Sequence, residues 1–299
     1  MATLAQWIDG ARPRTLPAAV APVAVGTGAA FALREEAGHG DAGHLGFALL
    51  ALVVALALQV GVNYANDYSD GIRGTDEERV GPVRLVGQRL AAPGTVKRAA
   101  FACFGVAGVA GVLLCLLSGT WWLLLAGVAA VWAAWNYTGG TNPYGYRGLG
   151  EVAVFIFFGL VAVLGTQVTQ AHTLSLAGVA GAIGIGAVAA ALNLTNNLRD
   201  IDGDATAGKI TLAVRLGAQR TRRLYVGLIV LAFVMVLVSG LQHSSAVLAL
   251  LALPLAWAPV RSVLQRARGR ALIAVLGQTG KLQLVLGLLW GLGLWWAGR

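Results

Sequence analysis

Charge is what this sequence has least of. Only 12% of its 299 residues are Asp, Glu, Lys or Arg, about half the roughly 25% of a soluble domain. So little charge cannot solvate a globular exterior, and a soluble protein is excluded. Cysteine is nearly absent as well. Cys103 and Cys115 both sit in one apolar run, which excludes a disulfide framework or thiolate cluster and leaves them as small core residues. Acid is scarce and confined: apart from Asp9, Glu35, Glu36, Asp41 and Glu151, every carboxylate falls in 67–78 or 200–204. A general acidic surface is thereby excluded, and two places stand out.

What the chain has in quantity is apolar sequence. It is 57% hydrophobic, with a mean hydropathy of +0.72. Apolar runs occupy about 15–33, 45–65, 97–117, 119–137, 151–170, 175–195, 223–241, 244–260 and 281–298, each near the ~20 residues that cross a bilayer. The expectation is an all-α polytopic membrane protein of nine transmembrane helices, with no soluble domain. Arg and Lys crowd alternate connections: Arg12 and Arg14, then Arg73 to Arg98, Arg147, Arg199 to Arg223, and Arg261 to Lys281. The positive-inside rule puts these loops in the cytoplasm, with the N-terminus inside and the C-terminus outside. The pI of 10.3 is then a topology signal, and no nucleic-acid partner is implied. The first apolar run is long enough to remain an anchor, kinked at Pro17 and Pro22. His39, His44, His172 and His243 all fall in the opposite loops, so no histidine-based metal site can include the inside acids.

Two polar stretches interrupt the apolar runs and nearly repeat one another. Asn63, Asn66, Asp67 and Asp70 are answered by Asn193, Asn196, Asn197 and Asp200; the first continues to Asp76, the second to Asp202 and Asp204. Spacings of three, four and seven put such residues on one helix face. The echo extends to Gly81–Val86 and Gly208–Ala213, suggesting a single membrane-embedded domain of two related halves, about 1–140 and 141–299. Ionised groups at the end of a membrane helix are expensive and mark function. Carboxylates this close repel unless a cation lies between them, and carboxylate with amide oxygen suits Mg²⁺, which keeps positions open for phosphate. The same loops supply Arg79, Arg84 and Lys209 beside glycines, groups fitted to phosphate oxygens. Acids, a divalent cation and basic groups together describe a diphosphate site, where neutralised charge makes diphosphate a good leaving group.

These motifs resemble those of the UbiA superfamily of intramembrane prenyltransferases. Asn66-Asp67-Tyr68-Ser69-Asp70 with Asp76, and Asp200-Ile201-Asp202-Gly203-Asp204, are similar to its two Asp-rich motifs. The usual N-D-x-x-D-x-x-x-D has its last acid two residues later here, as in the menaquinone branch. Ala11–Pro17, Arg79–Val86, Pro143–Glu151 and Gly208–Gly217 resemble that branch too. The resemblance covers nearly the whole chain. It implies a UbiA-type bundle and Mg²⁺-dependent transfer of a polyprenyl group from polyprenyl diphosphate to 1,4-dihydroxy-2-naphthoate. CO₂ and diphosphate would be lost and demethylmenaquinone formed, at a site facing the cytoplasm of the cell membrane. It implies Asp67, Asp70, Asp76, Asp200 and Asp204 as holders of Mg²⁺ and Lys209 as a catalytic cation. Asn63, Asn66, Arg79, Arg84, Asn193, Asn196 and Asn197 would contact substrate. Tyr64, Tyr68, Tyr137 and Tyr144 would line the allylic cation or the ring, unless they are interfacial tyrosines. Arg147 is placed with the substrate-binding residues, although the family's Y-x-x-x-K element is not present in that form around Tyr137 or Tyr144.

Other readings stay open at this point. The acceptor could be 4-hydroxybenzoate or homogentisate. Asp70-Gly71 begins like the D-G-x-x-A-R of CDP-alcohol phosphotransferases, but residues 77–96 hold only Glu77 and Glu78 as further acids. A cation-coupled transporter would place its acids near the midplane of broken helices, whereas these cluster at one face.

Overall fold

A computed structural model describes residues 2–36, 44–74 and 83–298. They form helices throughout: α1 (Leu4–Ala11), α2 (Pro17–Glu36), α3 (His44–Ile72), α4 (Pro93–Leu117) and α5 (Leu124–Asn136) come first. A helix Gly150–Ala171, labelled α6, follows, then α7 (Leu176–Arg199), α8 (Ile201–Thr206) and α9 (Leu212–Gln242). Last come α10 (Ser244–Leu264) and α11 (Ala271–Ala297).

Among the described residues, seven helices are long and apolar enough to cross a membrane, or up to eight if α1 and α2 form one span bent by 48°. Arg12, with a left-handed φ of 55°, ends α1, and Pro13 opens a short 3₁₀ turn that leads to Pro17 at the start of α2. Two apolar runs differ in extent from the expectation. The 119–137 run forms a 3₁₀ turn and then the short α5, a helix below the length of a full span. The last helix starts at Ala271 rather than near 281, so Lys281 lies within it, because Ala271–Gly280 is itself mostly apolar and free of Pro.

Small residues set the packing. Without a water-driven force between helices in lipid, close backbone approach supplies the attraction. A Cβ on Gly28 would come within 2.3 Å of the Gly291 carbonyl oxygen, and one on Gly287 within 2.5 Å of the Ala21 Cβ. Thus α2 and α11 touch almost backbone to backbone. Fully buried Trp290 and Tyr225 close the core beside them; Trp290 Nε1 donates to Ser239 Oγ at 3.0 Å, and Tyr225 and Thr279 share a 2.7 Å bond. Between Phe155 and Leu164, α6 opens to π-helical pitch. Gly159 lies there against Gly186 of α7. Rare as such turns are, this one sets Phe157 and Phe158 on the wall of a large cavity.

Replacing Gly291 by Val should lower the unfolding free energy by on the order of 1–3 kcal/mol through overpacking. Gly227 of α9 has open space around it, so Gly227→Ala should be neutral or slightly stabilising. Thermal unfolding in detergent, followed by circular dichroism, checks both; equal effects would refute backbone contact as the cause.

Candidate active site

The first polar stripe ends α3, and each of its side chains meets a different element. Asn63 donates through Nδ2 to the Ala11 carbonyl at 2.9 Å and to Thr15 Oγ1 at 3.0 Å, fixing the bend between α1 and α2. Asn66 accepts from the Thr138 hydroxyl at 2.7 Å. Asp67 accepts the backbone N–H groups of Leu85 (2.7 Å) and Val86 (3.1 Å). Its carboxylate therefore staples the turn that carries Arg84, whose side chain is buried. Asp70 accepts from Lys209 Nζ at 3.2 Å and from the Tyr146 hydroxyl at 2.5 Å. Lys209 also stands over the Tyr146 ring, 4.5 Å from its centroid, a favourable place for a cation.

The second stripe ends α7. Asn193 accepts from the Tyr137 hydroxyl at 3.0 Å, and Gly150 lies so close that a Cβ there would sit 2.9 Å from that hydroxyl. Asn197 donates to Glu151 at 2.7 Å. A carboxylate oxygen accepts this bond, so the Asn197 carbonyl oxygen is the end left for the pocket. Asp200 receives a two-bond fork from Arg199, both at 2.7 Å. Asp204, on α8, is buried; its carbonyl accepts the Lys209 N–H at 2.8 Å, while Ile210 N–H reaches Tyr146 O at 2.9 Å. These backbone bonds bring Lys209 back over Asp70.

The two stripes thus converge. Asp70, Asp204, Lys209, Tyr146 and Asn197 surround a small polar pocket of ≈ 50 Å³. Beside it lies a cavity of ≈ 1250 Å³, lined mainly by Ala, Val, Leu and Phe of α2 to α6 and by Ile273, Leu276 and Gly277 of α11. Arg12, Asn66, Arg84, Tyr137 and Asn196 line both. Asn63, Asn193 and Tyr144 face only the larger one. Tyr144 donates to the Ala133 carbonyl at 2.8 Å, and burial pushes its phenol above the usual tyrosine range. It stays protonated and keeps that bond at physiological pH.

Not every expected residue is gathered there. Tyr68 lines neither cavity; it stacks on Trp135 at 6.0 Å with Lys97 over its ring. Tyr64 is turned to α1, donating to Trp7 O. Arg147 is exposed at the surface and also lines neither cavity. Asp76 and Arg79, with Gly81 and Pro82, lie outside the described residues. In turn, Arg12, Tyr146 and Glu151 belong to the site although sequence reasoning gave them no role there. Arg12 reads as one more inside charge, and Tyr146 and Glu151 were visible only as members of the Pro143–Glu151 run.

Among the described residues no three carboxylate, His or Cys groups are grouped for a metal. Asp70 and Asp204 with the amide oxygens beside them still fit Mg²⁺, which needs only one or two carboxylates when phosphate and water complete its shell. Asp67 and Asp200 accept bonds through both oxygens, but each oxygen has a second lone pair to offer.

The Asn197–Glu151 pair gives a direct check on this geometry. Asn197→Asp alone puts two carboxylates face to face and should cut turnover by about 10²-fold or more. Adding Glu151→Gln restores a donor to the pair, and the double variant should recover at least tenfold; steady-state kinetics with titrated Mg²⁺ would show it. No recovery would mean that Glu151 does not orient Asn197.

The chain matches the UbiA prenyltransferase family over residues 19–285. It is 54% identical over 285 residues to the 1,4-dihydroxy-2-naphthoate octaprenyltransferase of Mycobacterium tuberculosis, covering 95% of each chain. It is 38% identical to the Escherichia coli protein of the same name, covering 96% of this chain and 94% of that one. Among solved structures, a UbiA homolog from Archaeoglobus fulgidus bound to GPP and Mg²⁺ superimposes with a TM-score of 0.69, covering 97% and 99% at 15% identity. Asp stripes converging from two helices, a polar pocket opening on an apolar cavity and a match across most of its length agree: this chain belongs to the UbiA prenyltransferase family.

Proposed function

We infer that this chain transfers a polyprenyl group from polyprenyl diphosphate to 1,4-dihydroxy-2-naphthoate, releasing diphosphate and CO₂ and giving demethylmenaquinol, the reduced form of demethylmenaquinone. The observation that carries the reading is the junction of the two cavities. A charged pocket holding Asp70, Asp204 and Lys209 shares Arg84 and Tyr137 with an apolar cavity of ≈ 1250 Å³. That is the shape of a substrate with a diphosphate head and a hydrocarbon tail. The naphthoate acceptor is supported by the relatives of that name, which this chain matches over nearly its full length.

Asp67, Asp70, Asp200 and Asp204 would hold Mg²⁺, with Asp76 as a further acid and the Asn197 oxygen beside them. When bound, the metal ion supplies positive charge to the diphosphate oxygens as the C–O bond breaks. Lys209, Arg84, Arg79 and Arg12 add fixed positive charge that needs no reorganisation as the leaving group forms. Asn63, Asn66, Asn193 and Asn196 offer amide groups around the head. Tyr137 and Tyr144, 5.5 Å apart and edge to face, stand where head and tail compartments meet and can shelter an allylic cation from water. The acceptor carbon that bears the carboxylate forms the new C–C bond. The bond to CO₂ then breaks and returns its electron pair to the ring, so no net proton is needed. Tyr68 and Arg147 would act only through packing and surface charge.

We also place all nine apolar runs across the bilayer in one two-halved domain. The site would then face the cytoplasm, with the N-terminus inside and the C-terminus outside. The basic loops support this. Span 119–137 would cross where its helix, Trp121–Asn136, reaches roughly 24 Å at 1.5 Å per residue, which local thinning can accommodate.

Membranes containing the chain, given polyprenyl diphosphate, Mg²⁺ and each aromatic acceptor in turn, should yield a prenylated product of the naphthoate lighter by CO₂. Transfer only to 4-hydroxybenzoate or homogentisate would move the acceptor assignment; no transfer to any would sink the reading. Asp70→Ala and Asp204→Ala should each lower kcat/KM by about 10²–10³. Asp67→Ala should do so while also lowering thermal stability, because it frees the turn bearing Arg84.

A further inference from the structure

After Asp204 the sequence contains no Asp or Glu, yet Arg and Lys recur to its end. Seven of these arginines, Arg220, Arg222, Arg223, Arg261, Arg266, Arg268 and Arg270, belong to the first part of α9, to the last turn of α10 and to the connection between α10 and α11. The positive-inside rule explains exposed ones. It does not explain Arg222, which is 7% exposed. Its guanidinium donates once, to the Ala267 carbonyl at 3.2 Å, while its Nε is buried with no hydrogen-bond partner. The charged side chains acting on it are Arg268 and Arg266, both of its own sign. A buried guanidinium with an idle donor, pressed by two more cations, is unfavourable unless an anion joins them.

The surroundings say which anion. Arg222 lies one turn past Gly217, whose φ of 74° breaks α9, so it begins the straight, apolar part of that helix. From the 265–270 connection, α10 leads away with Leu264, Trp257 and Leu253 exposed at 57%, 69% and 54%. Their spacing of four and seven puts them on one face. An apolar stripe that ends at a cluster of unneutralised arginines fits a molecule with acyl chains and a phosphate head. A free phosphate ion would leave the stripe unused.

We propose that Arg222, Arg266 and Arg268 bind the phosphodiester headgroup of an anionic phospholipid whose acyl chains lie along the Leu253–Trp257–Leu264 stripe of α10. Basic clusters between membrane helices suit such headgroups, and the guanidinium fork matches phosphate oxygens. The site is distinct from the Asp70–Lys209 pocket. It braces the connection before α11, whose Ile273, Leu276 and Gly277 line the large cavity.

The test uses the full chain purified in neutral detergent, with Mg²⁺ and inorganic diphosphate present throughout to fill the catalytic pocket. Thermal unfolding and native mass spectrometry are recorded with phosphatidylglycerol, with phosphatidylcholine of the same chains, or with inorganic phosphate. Phosphatidylglycerol should raise the unfolding temperature and remain bound, at least tenfold more tightly than phosphatidylcholine. Arg266 and Arg268 are exposed, so Arg266→Gln with Arg268→Gln should fold normally and lose that preference. Lys97→Gln with Arg98→Gln, at the exposed start of α4, should keep it. Equal binding of the two lipids, a full effect from phosphate alone, or equal loss in both variants would overturn the proposal.

Discussion

The site depends on one buried ion pair. Asp70 and Lys209 meet at 3.2 Å with side chains only 4% and 6% exposed; Asp70 is on α3 and Lys209 on the α8–α9 connection, 139 residues away in sequence. Bringing two charges out of water is expensive, and their attraction offsets it only with good geometry and further hydrogen bonds. Tyr146 supplies both requirements, with its hydroxyl on Asp70 and its ring beneath Lys209. The pair therefore joins the two Asp-bearing segments. Under the proposed function Lys209 would be shared, held by Asp70 and the Tyr146 ring and able to turn to phosphate oxygens.

Much of this was legible in the sequence, and for a plain reason. In a membrane helix a polar residue is conspicuous, so Asn63, Asn66, Asp70, Asn193, Asn196, Asn197 and Asp204 could be picked out by spacing alone. Which way each side chain turns was not legible. Asp67 and Asp70 are one helical turn apart, yet the first bonds backbone N–H groups and the second an ammonium. The difference is decided by the 83–91 turn, whose return to α3 no local pattern announces. Tyr146 and Glu151 escaped because a tyrosine beside a loop and a lone acid at a helix start have ordinary explanations. Their partners, Asp70 and Asn197, lie 76 and 46 residues away.

The fold was legible to the same degree. Hydropathy marks apolar runs but not where a helix ends, because a helix continues wherever nothing breaks it. So α3 runs on to Ile72 through its polar stripe, and α11 begins at Ala271. Proline and left-handed residues are the real punctuation, as at Arg12 and Gly217. Short α5 is the opposite case, an apolar run whose first residues close into a tighter 3₁₀ turn.

The glycine contacts between α2 and α11 have a mechanical consequence. Where backbones touch, no side chain can rotate aside, so that wall of the large cavity is a rigid spine. Another wall is α5, which lines the cavity with Leu124, Gly127 and Val131 and whose Leu125, outside the lining, is 77% exposed. One wall is a packed double layer and the other a single helix thick. The two walls therefore differ in stiffness, and room for a larger apolar guest is gained more cheaply at α5 than where α2 and α11 meet backbone to backbone.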